Sequence, residues 1–303
     1  MYDIIINPAA RSGAGRKTWK KVKKILEQRH VKYWAFFTDG PGDAKRIAGQ
    51  LTSQNRRVKL IVIGGDGTLH ETISGIKNWE QISLGYIPIG SGNDFARGMQ
   101  WRKSSKWHLE HILNDSDSEN MDCAKARTDA GTGRFMVSAG IGYDAGICNL
   151  VNRSKLKKGM NKLRLGKWTY CLLGVYALFT SERFRGELEL DGRRKVFLNH
   201  ILFCSVHNLP YEGGGVPFCP KADPKDGKLD VCVISGLPRR KLPVLLIQAL
   251  RGKHTRYRGV HVYRCQSVKI HARRPQYFHM DGEVIGKVRK AEIRVEKGKV
   301  HML

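Results

Sequence analysis

Acidic residues are scarce in this chain. Only 27 aspartates and glutamates stand against 54 lysines and arginines, which leaves a formal charge of +27 and a pI near 10.0. An excess of that size implies an anionic partner, whether nucleic acid, a membrane surface or phosphorylated substrates, and says nothing about fold. The seven cysteines are scattered and never form C-x-x-C. That argues against a disulfide framework or zinc site and for a reducing, cytosolic setting. The longest apolar run, Tyr170 to Thr180, is too short to cross a bilayer, so any membrane contact is expected to be peripheral. No signal peptide opens the sequence, and Met-Tyr-Asp-Ile-Ile-Ile-Asn-Pro reads as a first strand. Internal repeats, low-complexity segments and long linkers are missing as well. There is no G-x-x-x-x-G-K-[ST], which excludes a P-loop. Two other glycine-rich stretches, from Gly13 and from Gly90, carry Thr18 and Phe95 where a dinucleotide fingerprint needs its third glycine. A Rossmann oxidoreductase is therefore disfavoured. The eleven histidines form no H-x-x-x-H or Cys/His cluster.

What is present begins as an alternation of strands and helices. Ile4 to Ile6, Tyr33 to Phe37, Leu60 to Ile63 and Ser83 to Ile89 read as strands. Thr18 to His30, Gly42 to Thr52 and Leu69 to Ile76 read as helices between them. This order predicts a parallel, doubly wound sheet, whose ligands sit at the carboxyl ends of its strands. The glycine-bearing loops after Ile6, Ile63 and Ile89 all fall there. Beyond about residue 120 the pattern changes to strand-like runs with tight turns: Arg134 to Ala139, Gly186 to Leu190, Val196 to Val206, Leu229 to Ser235, Val268 to Ala272, Gln276 to Met280 and Glu292 to Val295. Asp191-Gly192 and Asp281-Gly282 suit two-residue hairpins, because both turn residues need positive φ. Helices are expected near Trp168 to Ser181 and Leu242 to Arg251. The reading is an α/β domain over 1–122, to which about 289–303 return, and an all-β sandwich over 123–288 that takes the substrate.

The stretch Leu60 to Glu71 runs a buried strand into Gly64-Gly65-Asp66-Gly67-Thr68 and then into a helix. Glycines let a backbone approach phosphate oxygens, and the helix N-terminus favours the same anion. Asp66 adds an oxygen ligand for a phosphate-bound Mg²⁺, or a base. A tight turn with Asp66 as a plain helix cap accounts for the same residues, and spacing alone does not separate the two.

The set Asn7-Pro8…Ser12-Gly13, Gly64 to Thr68 and Gly90-Ser91-Gly92-Asn93-Asp94-Phe95 resembles the diacylglycerol kinase catalytic-domain family, in its bacterial soluble lipid-kinase branch related to sphingosine and ceramide kinases. The likeness continues through Gly140 to Ala145, Tyr211-Glu212-Gly213-Gly214-Gly215, Ala222 to Asp230 and Asp281-Gly282-Glu283. It implies an N-terminal α/β nucleotide domain akin to NAD kinase and phosphofructokinase, a C-terminal β-sandwich, and an ATP- and Mg²⁺-dependent kinase. By the same resemblance Asn7, Ser12, Gly13, Thr38, Gly64, Gly65, Asp66, Gly67, Thr68 and Ser91 meet ATP. Close family members often carry Thr at the position of Ser91, and the hydroxyl is kept. Asp66 and Asp94 belong to the acidic network that positions Mg²⁺. Asp223, Asp226 and Lys228 hold a structural Mg²⁺. Lys228 does so through its carbonyl, because an ammonium has no lone pair. Glu283 is the first choice for the base that accepts the lipid hydroxyl's proton, ahead of Asp281 and Asp66. A plain hairpin also satisfies Asp281-Gly282-Glu283. Asp144 reads as a buried cap, and His279 sits two residues before Asp281.

Diacylglycerol, giving phosphatidic acid, is the implied acceptor. Phosphatidylglycerol, a sphingoid base, NAD kinase activity and a non-catalytic nucleic-acid binder are the alternatives. Positive charge concentrates in Lys17 to Lys32, Arg153 to Lys167 and Arg239 to Arg264. The middle stretch interleaves Leu156, Met160, Leu163, Leu165 and Trp168 with its cations, as docking on an anionic lipid surface requires. No zinc finger, RNP-type aromatic motif or arginine-glycine repeat favours nucleic acid. The expectation is a cytoplasmic enzyme, peripheral on the inner face of the membrane, with a homodimer left open.

Overall fold

The computed structural model describes residues 1–54, 56–101, 104–114, 118–143, 145–148 and 181–303. Asp144, the basic stretch Arg153 to Lys167 and all but the last residue of the helix expected near Trp168 to Ser181 lie outside the described residues. Two compact units form. One comprises Met1–Cys123, Pro224–Asp226 and Glu296–Leu303, and the other Ala124–Asp223 and Gly227–Val295. Among the described residues no helix is long and apolar enough to cross a membrane.

The first unit is the doubly wound sheet. Its elements are β1 (Tyr2–Ile6), α1 (Ala10–Gln28), β2 (Tyr33–Phe37), α2 (Asp43–Thr52), β3 (Val58–Gly64), α3 (Asp66–Gly75), β4 (Ile82–Pro88), α4 (Asp94–Gly98) and α5 (Ser105–Leu113). The strands lie parallel in the order β2-β1-β3-β4. The chain's end adds His301 and Met302 in parallel beside Ser83 and Leu84. Every residue of β1 is buried, as expected of a parallel strand with both faces covered. Ile4, Ile6, Ile61 and Ile63 meet Val22 and Leu26 of α1 and Leu109 and Ile112 of α5. Meanwhile α2 and α3 pack on each other and against β1 and β3. Right-handed crossovers place these two helix pairs on opposite faces of the sheet.

The second unit is antiparallel. Its strands are the later part of β5 (Glu119–Thr128), β6 (Gly131–Phe135), β7 (Ser138–Gly142), β8 (Phe184–Leu190), β9 (Arg194–His207), β10 (Leu229–Ser235), β11 (Val260–Cys265), β12 (Ser267–Met280) and the earlier part of β13 (Glu283–Met302). Both long strands, β9 and β12, pair with β8 along one half and with β7 along the other. This curls the sheet over a core that includes Phe135, Ile141, Phe184, Val206, Val231 and Phe278. A helix, α6 (Leu242–Leu250), covers a second cluster containing Phe203, Ile234 and Val260.

Several expected boundaries shift for physical reasons. The strand expected over Arg134 to Ala139 breaks at Met136 and Val137, whose N–H groups turn to the Asp281 carboxylate. The two strands expected over Val268 to Met280 are one strand, with an irregularity between His271 and Gln276. Pro275 lies in that interval and cannot donate to a ladder. Asp191-Gly192 and Asp281-Gly282 are both left-handed at both residues (φ 51° and 67°, 48° and 84°), as two-residue hairpins require.

Candidate functional site

In the first unit the strand ends are tied in step. Thr38 N–H donates to the Ile6 carbonyl (2.9 Å), Asn7 N–H to Ile63 (2.9 Å) and Ile89 N–H to Gly64 (2.8 Å). The loops after β1, β2, β3 and β4 therefore emerge side by side. In a sheet ordered β2-β1-β3-β4, the connections leaving β1 and β3 diverge, and the crevice between them is the expected ligand position. Asn7 stands at that point. Its Nδ2 donates to Thr68 Oγ1 (3.0 Å) and its Oδ1 accepts from Ala9 N–H (3.1 Å), so one side chain holds the first loop to the third.

The loop after β1 is strained. Arg11, Ser12 and Gly13 are all left-handed, with φ of 46°, 55° and 89°. Two non-glycine residues in that region cost roughly 1–2 kcal/mol each. Such strain collects at functional sites, and successive amides in this kind of turn form anion-binding concavities. The loops after β3 and β4 meet backbone to backbone. A Cβ on Gly65 would stand 3.1 Å from the Gly90 Cα, and one on Gly90 would stand 2.8 Å from the Gly65 Cα. No side chain fits between them, which accounts for glycine at both positions.

Asp66 has a use that spacing did not predict. Gly65 is the residue before α3, and Asp66 lies in the first helical turn. Its carboxylate reaches across to the next loop, where Oδ2 accepts from Asp94 N–H (3.0 Å) and Oδ1 from Phe95 N–H (3.3 Å). Asp66 thus caps α4 rather than its own helix and locks the loops after β3 and β4 together. Asp94 is half-buried, with Oδ1 3.9 Å from Arg97 Nε. Behind both acids stands Tyr86, whose fully buried phenol has no hydrogen-bond partner among the described residues. Burial first, then the charges of Asp66 and Asp94, raise its pKa well above the ordinary value, so the phenol stays neutral. The remaining predicted nucleotide contacts fall on these same loops: Thr38 buried, Thr68 buried, Gly64 and Gly67 beside Asp66, Ser12 and Ser91 exposed.

The donor chemistry suits a hard cation. A carboxylate oxygen that accepts one amide keeps another lone pair, and Asp66 and Asp94 present only oxygen. Among the described residues no three His, Cys, Asp or Glu side chains converge as a metal site. The turn over Ala222 to Leu229 offers two carboxylates, exposed Asp223 and half-buried Asp226, and the carbonyl of exposed Lys228 around a left-handed Gly227 (φ 71°).

In the second unit the Asp281-Gly282-Glu283 turn divides its two acids. Asp281 is committed to the backbone: Oδ1 accepts from Val137 (2.8 Å) and Ser138 (3.2 Å), and Oδ2 from Met136 (3.1 Å). Its own N–H donates to the Ser138 carbonyl (2.8 Å). Glu283 is exposed. Next to this turn lies a cluster that sequence reading missed. Glu212 Oε1 is 3.2 Å from His279 Nε2, and Glu212 Oε2 is 3.3 Å from His207 Nε2, with both imidazoles fully buried. His279 Nδ1 accepts from Gly282 N–H (3.2 Å), so its proton is on Nε2 and points to Glu212. His207 Nδ1 faces the Leu209 carbonyl (3.1 Å), which only an N–H satisfies. Burial alone would raise the Glu212 carboxyl; the two imidazoles outweigh it and bring its pKa down to about 2. The only sequence signal for Glu212 was an acid before three glycines. Nothing in the pattern marked His207 or Tyr86.

Comparison with known proteins agrees with this fold. The description "Diacylglycerol kinase catalytic domain" matches residues 2–126, and "YegS C-terminal NAD kinase beta sandwich-like domain" matches residues 136–303. A protein of Bacillus subtilis (strain 168) named "Putative lipid kinase YtlR" is 31% identical over 299 residues, covering 93% of each chain. A diacylglycerol kinase of Staphylococcus saprophyticus is 27% identical over 288 residues, 94% of this chain and 89% of that one. The crystal structure of a diacylglycerol kinase from Bacillus anthracis str. Sterne matches with a TM-score of 0.70 at 21% identity, over 99% of this chain and 95% of that chain.

Proposed function

The chain belongs to the diacylglycerol kinase catalytic-domain family of lipid kinases, and from that premise we propose that it transfers the γ-phosphoryl group of ATP to a lipid hydroxyl, most simply that of diacylglycerol, yielding phosphatidic acid. The observation that carries this reading is the convergence of four strand-end loops at the β1/β3 crevice, where glycine backbones, a left-handed turn and two carboxylates share one place.

In this reading the amides of Ser12, Gly13 and Gly64 to Thr68 bind the phosphates, with Asn7, Thr38 and Ser91 contributing polar contacts. Asp66 and Asp94 would hold Mg²⁺, which when bound neutralises charge on the phosphoryl oxygens. Asp223, Asp226 and the Lys228 carbonyl would hold a second, structural ion. Glu283 accepts the proton of the lipid hydroxyl. Phosphoryl transfer through a loose transition state needs that base late, so positioning and electrostatics supply most of the rate. Asp281 holds the turn on which Glu283 stands. Work on a membrane-dissolved acceptor implies a cytoplasmic protein peripheral on the inner leaflet.

The test is transfer of radiolabelled γ-phosphate over a panel of diacylglycerol, phosphatidylglycerol, a sphingoid base and NAD, with Asp66→Ala and Glu283→Gln as controls. Labelled phosphatidic acid that both substitutions abolish is the expected result. Transfer only to NAD, or transfer indifferent to both substitutions, would sink the assignment.

A further inference from the structure

The nine residues of α6, Leu-Pro-Val-Leu-Leu-Ile-Gln-Ala-Leu, include one polar side chain. A helix apolar all round belongs in a core or in lipid. Here only one side is in a core. Leu242, Leu245 and Ala249 are at most 3% exposed, and Leu242 and Leu245 pack among residues such as Phe203, Ile234 and Val260. Val244, Ile247 and Leu250, spaced three apart on the other side, are 48%, 51% and 55% exposed. No large apolar side chain on a surface helix gains from facing water, and three in line form a stripe rather than scattered exceptions.

Charge frames the stripe. From Gly236 to Arg264 the chain carries eight lysines and arginines and no aspartate or glutamate. Arg239, Arg240 and Lys241 lead into the helix, and Arg251, Lys253, Arg256 and Arg258 follow it, all exposed. Their crowding reaches Arg183, whose basicity is lowered by burial and then by repulsion from Arg239. A protein partner with a matching apolar groove would need no cations at both ends of the helix. An anionic lipid surface takes both features together: basic side chains at the headgroups and an apolar stripe at the acyl boundary.

We propose that α6 is a membrane-docking helix that seats the protein on an anionic bilayer by inserting Val244, Ile247 and Leu250 between lipid headgroups, with the flanking arginines and lysines on the phosphates. The choice of a lipid surface as occupant rests on the lipid-kinase reading, since an acceptor dissolved in the membrane must be reached there. The stripe lies in the second unit and includes none of the residues assigned above to nucleotide, metal or proton transfer.

The experiment is sedimentation of the full chain with phosphatidylcholine vesicles, with and without phosphatidylglycerol, at low and high salt. Two variants are compared with wild type, V244S/I247S/L250S and R239Q/R240Q/K241Q, each checked for native circular dichroism. Because the substituted side chains are exposed, both are expected to fold. Wild type should pellet only with the anionic vesicles. The serine variant should bind roughly tenfold or more weakly with its salt dependence kept. The glutamine variant should weaken at low salt and lose part of that dependence. Light scattering gives the oligomeric state. The proposal is overturned if the serine variant binds vesicles like wild type, if wild type ignores anionic vesicles, or if the serine variant instead splits a dimer. Transfer to a short-chain diacylglycerol in detergent separates the two readings: activity without vesicle binding removes the docking helix alone, and vesicle binding without transfer removes the kinase assignment alone.

Discussion

Replacing Asp281 by Asn should unfold the second unit's site rather than merely disarm it. The Asp281 carboxylate accepts three backbone N–H groups, from Met136, Val137 and Ser138, at 2.8 to 3.2 Å. Hydrogen bonds to a charged group contribute about 1.5–3 kcal/mol each, neutral ones about 1 kcal/mol. Asn tolerates the left-handed φ of 48° at this position, so the turn itself survives. Its Oδ1 keeps Val137 and Ser138 as neutral bonds, a loss of about 1 kcal/mol apiece. Its Nδ2 then opposes the Met136 N–H donor to donor, leaving the amide of a buried residue unsatisfied at about 1–3 kcal/mol. The sum is about 4 kcal/mol, a large part of a typical total of ~5–15 kcal/mol. With a slope of about 2 kcal/mol/M, the urea midpoint should fall by about 2 M. The partner measurement is Glu283→Gln. Its side chain is exposed, so unfolding should move by less than about 0.5 kcal/mol while phosphoryl transfer falls by about 10²-fold or more. Should Asp281→Asn unfold with wild type while abolishing transfer, and Glu283→Gln leave transfer intact, the roles are reversed and the reasoning from hydrogen bonds fails.

Gly65→Ala and Gly90→Ala each push a methyl to within 3.1 Å of the facing glycine, so the two loops must part. Nucleotide affinity measured by calorimetry should drop about tenfold for a cost in stability near 1 kcal/mol; unchanged affinity would remove the phosphate loops from this contact. Asp66→Asn leaves one of the Asp94 and Phe95 amides facing an amino group. Hydrogen exchange at residues 94–97 should accelerate about tenfold or more even without nucleotide, whereas exchange that changes only with nucleotide present would make Asp66 a ligand and nothing else. Glu212 supplies a pH dependence. Its folded pKa, about 2, lies below the ordinary 4.5, so the native state binds fewer protons, and its stabilisation is present above 4.5 and lost as pH falls toward 2. Urea unfolding across that window should flatten in Glu212→Gln; equal slopes in the two proteins would refute the role of the buried carboxylate.

The doubly wound half was legible because its signals are local. Ile4-Ile5-Ile6 and Leu60 to Ile63 are continuous apolar runs; the first stops at Asn7-Pro8 and the second at Gly64-Gly65, residues that suit tight turns. The Asp-Gly hairpins were legible for the same reason, since two positive φ angles leave few residue choices. What escaped depends on partners far along the chain. The break at Met136 is dictated by Asp281, 145 positions away. Glu212 gains its meaning from His207 and His279, neither of which stands at a spacing any local rule would notice. Helix α6 was foreseen from Leu242 to Arg251, yet its periodicity did not reveal that one apolar side would be left uncovered. Only burial tells Leu245 from Ile247.

The acids in the motifs raise a more general point about this chain. With so few carboxylates against so many cations, ion pairing would be the simple use for each of them. Instead many are aimed at backbone amides. Asp43 accepts from Asp39 and Gly40, Asp122 from Gly298, Asp129 from Arg289, and Asp191 from Gln266 and Ser267. Asp66 and Asp281 follow the same habit at the two places where family resemblance assigns chemistry. An aspartate in this role joins two loops at a fixed distance, which a salt bridge to a long, mobile lysine does not do. Each amide it accepts also takes up one lone pair, so fewer are left to meet a substrate proton. Asp66 and Asp281 therefore rank behind Glu283 as the proposed base, and the transfer assay on Glu283→Gln decides it. Glu283 stands exposed on a turn whose other acid accepts three backbone amides, and it is therefore the carboxylate we propose for the proton.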